Sequence, residues 1–315
     1  MRYADRFRSQ HLAWDSLLDA EAMLRFDEAA TGYRTAYKSL SQFKATSPNE
    51  PNSSLYPWPS WEQKLAEQFH SRVPTNFLEQ PIIKLSMVFH GRLCNAGRLS
   101  RVRRAFGEAA LRDFLAEDPV GTPRICDVSL RTSSNRLYHA FHLAMYQQTT
   151  GKPFARGGLV VEWGGGYGDM ARLLWRLSVR AESTTLVLID LPAVGALQWV
   201  YLTSILGRQH VHIVETPDRQ IHQGCVNIMN SSVAFDHPAM KADCFLSTWA
   251  LTESPHELQA EVARRKFFGA RNTLLAFSMD GDNRIAEPLL KAGGATIPVP
   301  YMTLDGYAPS KYGFL

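Results

Sequence analysis

Apolar and polar positions along the chain follow two rhythms, and the change between them falls near residue 157. Before that point the spacing is helical. Residues 10–44 carry Leu17, Leu18, Met23, Leu24 and Phe26 at intervals that return to one helix face, with no proline among them. SPNEPNSSLYPWPS follows with Pro48, Pro51, Pro57 and Pro59, and reads as a loop. Further helices are predicted over 61–71, 80–90 and 98–117. A second loop, EDPVGTPRICDVSLRTSS, leads into a helix that starts at Ser133–Ser134–Asn135 and runs to about Gln148. Its start is marked by side chains that accept a backbone N–H. No strand is predicted before residue 157.

From Gly158 onward, short apolar runs alternate with helical stretches. LVVEW, TTLVLID, ADCFLSTW and NTLLAFSM read as strands, with VHIV, CVNIMN and ATIPVPYM as weaker ones. DMARLLWRLSVR, PAVGALQWVYLTSIL (opened by Pro192), a segment from about Pro255 and one near 284–292 read as helices. Such alternation predicts a mostly parallel sheet covered on both faces. The expected fold is α/β, a Rossmann-like doubly wound sheet over 151–315 preceded by an N-terminal helical region over 1–150.

Composition excludes more than it selects. The chain is 45% hydrophobic and 20% charged, ordinary for a globular protein and unlike a disordered one. No apolar run reaches the roughly 18 residues of a membrane span, and the first residues lack the apolar stretch of a secretory signal. Cys94, Cys126, Cys225 and Cys244 are widely spaced, which predicts free thiols, no zinc site and a cytoplasmic protein. The net charge of +4 lies entirely in the first 150 residues, largely in Arg92, Arg98, Arg101, Arg103 and Arg104. That run suits a solvated helix face or an acidic ligand better than nucleic acid, which calls for a stronger basic stripe. The expected partner is a small molecule, with neither nucleic acid nor membrane; oligomeric state has no signature.

Candidate chemistry concentrates where strand LVVEW runs into Glu162-Trp163-Gly164-Gly165-Gly166-Tyr167-Gly168 and then a helix. In an open α/β sheet ligands bind beyond the strands' carboxyl ends, and glycines there let the backbone come close. Read from Gly166, the loop also fits the relaxed G-x-G-x-x-A dinucleotide pattern, so a nicotinamide enzyme stays open. Asp169 at the opening of the helix would repel a diphosphate, and no Tyr-x-x-x-Lys pair is recognisable. A non-catalytic subunit that keeps the pocket is the third possibility.

E-x-G-x-G-x-G after the first strand, with an acid ending the second (LVLID), resembles class I S-adenosylmethionine-dependent methyltransferases. The resemblance implies S-adenosylmethionine as cofactor, with Gly164, Gly166 and Gly168 beside its methionine part, Glu162 nearby and Asp190 accepting from the ribose hydroxyls. Gly165, Leu191, Asn230 and Trp249 complete the implied cofactor contacts. SSNRLYHAFHLAMYQQTTG, VVEWGGGYGDMARLL, LVLIDLPAVGALQWVYL and DCFLSTWALTESP are more closely similar to a family of bacterial sugar O-methyltransferases, although Trp163 replaces a small aliphatic residue. The implied activity is O-methylation of a sugar or sugar-containing natural product, with N- or C-methylation of a small metabolite as the alternative. An alcohol acceptor calls for a general base. Glu253 and His256 follow the strand ADCFLSTW, and His139 and His142 share a helix face before the sheet. DGDN at 280–283 has no matching earlier acid, so no metal is expected; His210 and His212 share a strand face without further ligands.

Overall fold

The computed structural model describes residues 20–43, 58–88, 95–155, 157–178, 184–278, 286–291, 293–300 and 310–315. The N-terminal part is helical, as its spacing predicts: α1 (Ala20–Ser41), α2 (Trp58–Gln68), α3 (Pro81–Ser86), α4 (Ala96–Phe106), α5 (Glu108–Leu115) and α6 (Ser134–Thr150). Several boundaries differ from expectation, and the helix expected over 80–90 ends at Ser86. α2 begins inside the proline-rich stretch, because Pro59 falls in a first turn, where no N–H is missed. The helix expected over 98–117 is two, broken at Gly107 with φ 77°. The loop before α6 contains an antiparallel pair, β1 (Ile125–Asp127) and β2 (Thr132–Ser133), too short to leave a periodic signal. Ser133 caps α6, its Oγ accepting the Arg136 N–H at 3.0 Å.

The second part alternates β3 (Gly158–Trp163), α7 (Asp169–Ser178), β4 (Thr184–Ile189), α8 (Pro192–Leu206), β5 (Val211–Ile213), β6 (Val226–Met229), α9 (Ser231–Asp236), β7 (Cys244–Thr248), α10 (Ala250–Glu253), α11 (His256–Arg264), α12 (Lys266–Gly269), β8 (Asn272–Ser278), α13 (Ala286–Lys291), β9 (Ala295–Pro298) and β10 (Ser310–Phe314). They form one sheet in the order β5-β6-β4-β3-β7-β8-β10-β9. All pairings are parallel except those of β10, which runs antiparallel to both neighbours. This is the Rossmann-like, doubly wound arrangement. The chain winds outward from β3 to one side and from β7 to the other, so the strand order reverses between them and opens a crevice at their carboxyl ends.

Burial follows this layering. β4 is buried along its whole length, which is why it reads as a continuous apolar run. One face of the sheet is covered by α8, α1 and α6, whose Leu197, Phe26, Tyr33 and Phe141 share a hydrophobic cluster with Val160 and Leu186. The other face buries Val161, Val187, Phe245 and Phe267. α8 is apolar all round because it lies between the sheet and α1, with the Tyr33 hydroxyl donating to Ala193 O at 3.1 Å.

No described helix is long and apolar enough to cross a membrane. Cys225 and Cys244 are free thiols, but Cys126 is disulfide-bonded to a partner outside the described residues. The expectation of four free thiols is therefore corrected, and the thiol argument for a cytoplasmic location does not extend to Cys126. Loop-separated cysteines leave no spacing signature of such a bond.

Candidate functional site

β3 delivers the glycine loop to the crevice, and Gly164 N–H donates to Ile189 O at 2.9 Å, tying the loop to the end of β4. Gly164 has φ 74°, and a Cβ there would lie 2.0 Å from that of Ala250, so only glycine fits between the loop and α10. Gly165 lies against the Glu162 carboxyl and Gln198. Gly166 and Gly168 also have positive φ, and the Gly168 N–H closes the turn on Gly165 O at 3.0 Å.

Asp190 ends β4. One carboxylate oxygen accepts the Leu191 N–H at 2.9 Å and the other accepts Gln198 Nε2 at 2.7 Å, while the same amide donates to Gly166 O at 3.0 Å. Gln198 thus braces the glycine loop against the acid. Its one mark in the sequence is that it is the lone amide in the apolar run of α8. Burial, and then the neighbouring Asp190 and Asp169 charges, push the Glu162 carboxyl up to about 8, and burial pushes Asp190 up to about 7. Glu162 Oε2 and Gln198 Oε1 are buried with no hydrogen-bond partner. Unmet acceptors beside a glycine cradle fit a ligand that brings donors and positive charge.

Glu162, Gly164, Gly165, Gly166 and Asp190 wall a cavity of about 1330 Å³, whereas Gly168, expected beside the cofactor, is outside the lining and packs towards Leu202 of α8. Leu191, Asn230 and Trp249 also line it, but the Asn230 side chain is already committed. Its Oδ1 caps α9 through the Val233 N–H at 2.8 Å, and its Nδ2 donates to Leu40 O and Phe43 O at 2.7 and 2.9 Å. Trp249 has φ 67°, costly for a bulky residue, and is held by stacking on Tyr138 at 5.5 Å and by its N–H on Ala276 O at 2.6 Å. α2 closes the far side. Trp58 Nε1 donates to Glu253 Oε2 at 2.8 Å, Trp58 and Trp61 pack edge to face at 5.1 Å, and Glu62 accepts the Ala193 N–H at 3.4 Å. Among the described lining residues there are five carboxylates (Glu62, Glu67, Glu162, Asp190 and Glu253) and no lysine or arginine.

The four base candidates separate. His139 and Glu253 line the cavity, and burial raises the Glu253 carboxyl. His142 does not reach it. The imidazole is wholly buried, its Nδ1 is 2.5 Å from the Tyr312 hydroxyl, and burial pulls its pKa well below the usual histidine value. His256 begins α11 outside the lining. Three-residue spacing puts His139 and His142 near one face, but helical rotation turns only the first of them to the cavity.

Asp169 differs most from expectation. It does not face the crevice. Its carboxylate is fully buried, with Oδ1 accepting Arg136 Nε at 2.7 Å and Oδ2 lying 2.9 Å from His139 Nδ1. Arg136 also reaches Glu117 at 2.8 Å and Tyr201 at 3.0 Å, while Arg172 and Arg176 pair with Asp118 at 2.6 and 2.7 Å. The negative charge of Asp169 is thereby compensated, and the case against a diphosphate passes from Asp169 to the acid-lined wall.

Of the arginine run, Arg98 is buried with its guanidinium 4.2 Å over the Tyr138 ring, a packing role in place of the expected solvated face; Arg92 lies outside the described residues. So do Asp280 and Asp282; no metal-binding group of histidine, cysteine or acid side chains occurs among the described residues. His212 stacks on His222 at 3.7 Å, and His210 packs against Trp175.

The raised carboxyls give the protein a pH signature. Their folded pKa values lie above the ordinary ones of 4.5 and 3.8, so their stabilising contribution is complete below about pH 4. It is lost as pH rises through about 7 for Asp190 and about 8 for Glu162. The thermal midpoint is expected to fall as pH rises from about 4 to about 8, and less steeply in Glu162→Gln. Equal slopes in thermal melts of the two proteins would refute the assignment.

No family model matches the chain, and no curated protein matches it in sequence. It is similar to the solved structure of magnesium protoporphyrin IX methyltransferase from Synechocystis PCC 6803 with bound S-adenosylmethionine, at 12% identity and a TM-score of 0.41, over 71% of this chain and 99% of that one. It is also similar to precorrin-6y C5,15-methyltransferase from Geobacter metallireducens, at 11% identity and a TM-score of 0.38, over 57% and 88%. Fibrillarin from Aeropyrum pernix with natively bound S-adenosyl-L-methionine gives 14% and 0.36, over 55% and 72%. Likeness this distant says nothing of what the chain binds. The order and direction of its own strands are what give it the Rossmann-like, doubly wound fold.

Proposed function

We propose that the protein is an S-adenosylmethionine-dependent methyltransferase acting on a small hydroxylated acceptor, a sugar or a sugar-containing molecule. The observation that carries the reading is the crevice itself, where a glycine loop and two buried carboxyls, Glu162 and Asp190, meet with no lysine or arginine among the described lining residues. Such a wall suits a ligand with a sulfonium and an ammonium group and opposes a dinucleotide or a nucleic-acid backbone. The residues fit the cofactor. The glycine loop lies where backbone can approach its methionine part, Asp190 offers two oxygens to vicinal ribose hydroxyls, and Glu162 Oε2 lacks a donor.

When bound, the cofactor supplies an electrophilic methyl group on a positively charged sulfur. The chain's own residues then have two tasks. One is to hold the acceptor oxygen in line, which accounts for much of the acceleration in such a displacement. The other is to take the acceptor's proton, for which His139 and Glu253 are the candidates on the wall. Residues 1–150 supply the acceptor side through Trp58, Trp61, Glu62 and His139, and 151–315 the cofactor side. An aromatic pair flanked by carboxylates supports a ring that bears hydroxyl groups, because a sugar stacks its C–H face on indole and donates to the acids.

Titration calorimetry with S-adenosylhomocysteine, S-adenosylmethionine and NAD tests the reading. The first two are expected to bind with micromolar affinity, about −8 kcal/mol, and NAD not at all. Binding of NAD alone would replace the proposal with an oxidoreductase.

A further inference from the structure

His139 and Asp169 form a pair that neither the glycine loop nor the acceptor wall requires. His139 belongs to α6, in the helical part; Asp169 is the first residue of α7, immediately after the glycine loop. The imidazole is 16% exposed and lines the cavity, whereas the carboxylate is fully buried. Each Asp169 oxygen has one kind of partner. Oδ1 is taken by Arg136 at 2.7 Å from both Nε and Nη2, which leaves Oδ2 for His139 Nδ1 at 2.9 Å. Arg136 cannot turn away, because Nη1 donates to Ala116 O at 2.6 Å and Nη2 also faces Glu117 and the Tyr201 hydroxyl.

An ionised carboxylate only accepts hydrogen bonds, so the proton of a neutral His139 must sit on Nδ1. The other ring nitrogen, Nε2, is then left with a free lone pair. The guanidinium of Arg136 and the His139 ring hold the Asp169 carboxyl below the usual carboxylate range against the effect of burial, so it stays ionised.

We infer that Asp169 is a positioning residue that fixes the His139 tautomer, and that His139 is the base that deprotonates the acceptor hydroxyl. The inference rests on the methyltransferase reading. In the step it describes, the acceptor oxygen forms a C–O bond to the methyl carbon as the C–S bond breaks. The hydroxyl proton passes to His139 Nε2, the bonding pair stays on sulfur as a neutral thioether, and Asp169 faces the resulting imidazolium. A mirror pair in which the carboxylate faced the substrate would place the acid, not the ring, on the cavity wall; the burial of Asp169 excludes that order.

Asp169→Asn gives the inference its sharpest test. With Oδ1 still claimed by Arg136, the asparagine amide would face His139 and donate to Nδ1. The tautomer should flip and move the proton to Nε2, the change that disables a histidine base when its carboxylate partner becomes an amide. Long-range ¹H–¹⁵N spectra of histidine-labelled full-length protein at about pH 8, above the ordinary histidine range, with His139→Gln used for assignment, read this directly. The expected result is an Nδ1–H tautomer in the parent and an Nε2–H tautomer in Asp169→Asn, with S-adenosylhomocysteine affinity changed less than about twofold. An Nε2–H tautomer in the parent, or an unchanged tautomer in the variant, overturns the inference. If Asp169→Asn does not fold, the parent's tautomer alone decides. Loss of S-adenosylhomocysteine binding by the parent would instead refute the methyltransferase reading, whatever the tautomer shows.

Discussion

Gly164→Ala is expected to cost the protein several kcal/mol of stability and at least tenfold in affinity for S-adenosylhomocysteine. The added carbon would fall 2.0 Å from Ala250 Cβ, a distance that no rotamer relieves because both atoms are fixed to backbone. The φ of 74° adds strain of about 1–2 kcal/mol for a residue with a Cβ, and overpacking of a tight contact costs about 1–3 kcal/mol more. Either the loop or α10 must move, and both wall the cavity. Two comparisons separate the causes. Gly151 has φ 70° but nothing within 4 Å of where a Cβ would sit, so Gly151→Ala should show strain alone and leave the ligand untouched. Gly166 meets only Met87, at 3.7 Å, so Gly166→Ala should fold and lose affinity through the volume it takes from the ligand. Thermal melts and calorimetry on the three variants check this, and a Gly164→Ala protein as stable and as tight-binding as the parent would remove the loop from the site.

The sheet is legible in the sequence because its strands are buried on both faces. TTLVLI and CFLST read as apolar runs for the same reason that they form central strands. β10 leaves no such mark, because its five residues, Ser310–Phe314, alternate without an apolar run and follow a segment with no periodicity. The glycine loop is legible for a different reason, since positive φ leaves its mark as glycine. Asp190 can be read from its place at a strand end. The rest of the site depends on side chains that meet only after the helices dock. Trp58 and Glu253 are 195 residues apart, and the indole N–H that joins them has no counterpart in local pattern. Asp169 is the reverse case, a residue whose position is read correctly and whose effect is not. The acid does open the helix after the loop, but Arg136 neutralises it from a helix that periodicity alone could not place beside it.

Arg136→Ala is expected to be the most destabilising single substitution outside the loop, by about 3–5 kcal/mol, the cost of leaving buried charge without its partner. Arg136 is wholly buried, and its removal strands Asp169 and Glu117 together. Glu117 is already pushed up to about 7, with burial as the largest cause and Arg136 as the main opposing influence. Without Arg136 both carboxyls must rise. In the parent, Asp169 has a folded pKa below its ordinary 3.8, so it contributes stability above that value and loses it in acid. In the variant the sign reverses, because a buried carboxyl with a raised pKa favours folding only while protonated. The stability difference between the two proteins should therefore be smaller near about pH 4.5 and grow as pH rises to about 7.5. Urea unfolding at both pH values measures it. Adding Glu117→Gln should recover part of the loss at the higher pH, since one stranded charge is then gone, and a double-mutant cycle isolates the coupling. A loss below about 1 kcal/mol, or one that does not change with pH, would mean that water reaches the cluster and that Asp169 is not held by Arg136. It would also leave the first turn of α6 held to the glycine loop and the start of α7 only through Asn135 on the Tyr167 hydroxyl at 3.1 Å and His139 on Asp169 at 2.9 Å.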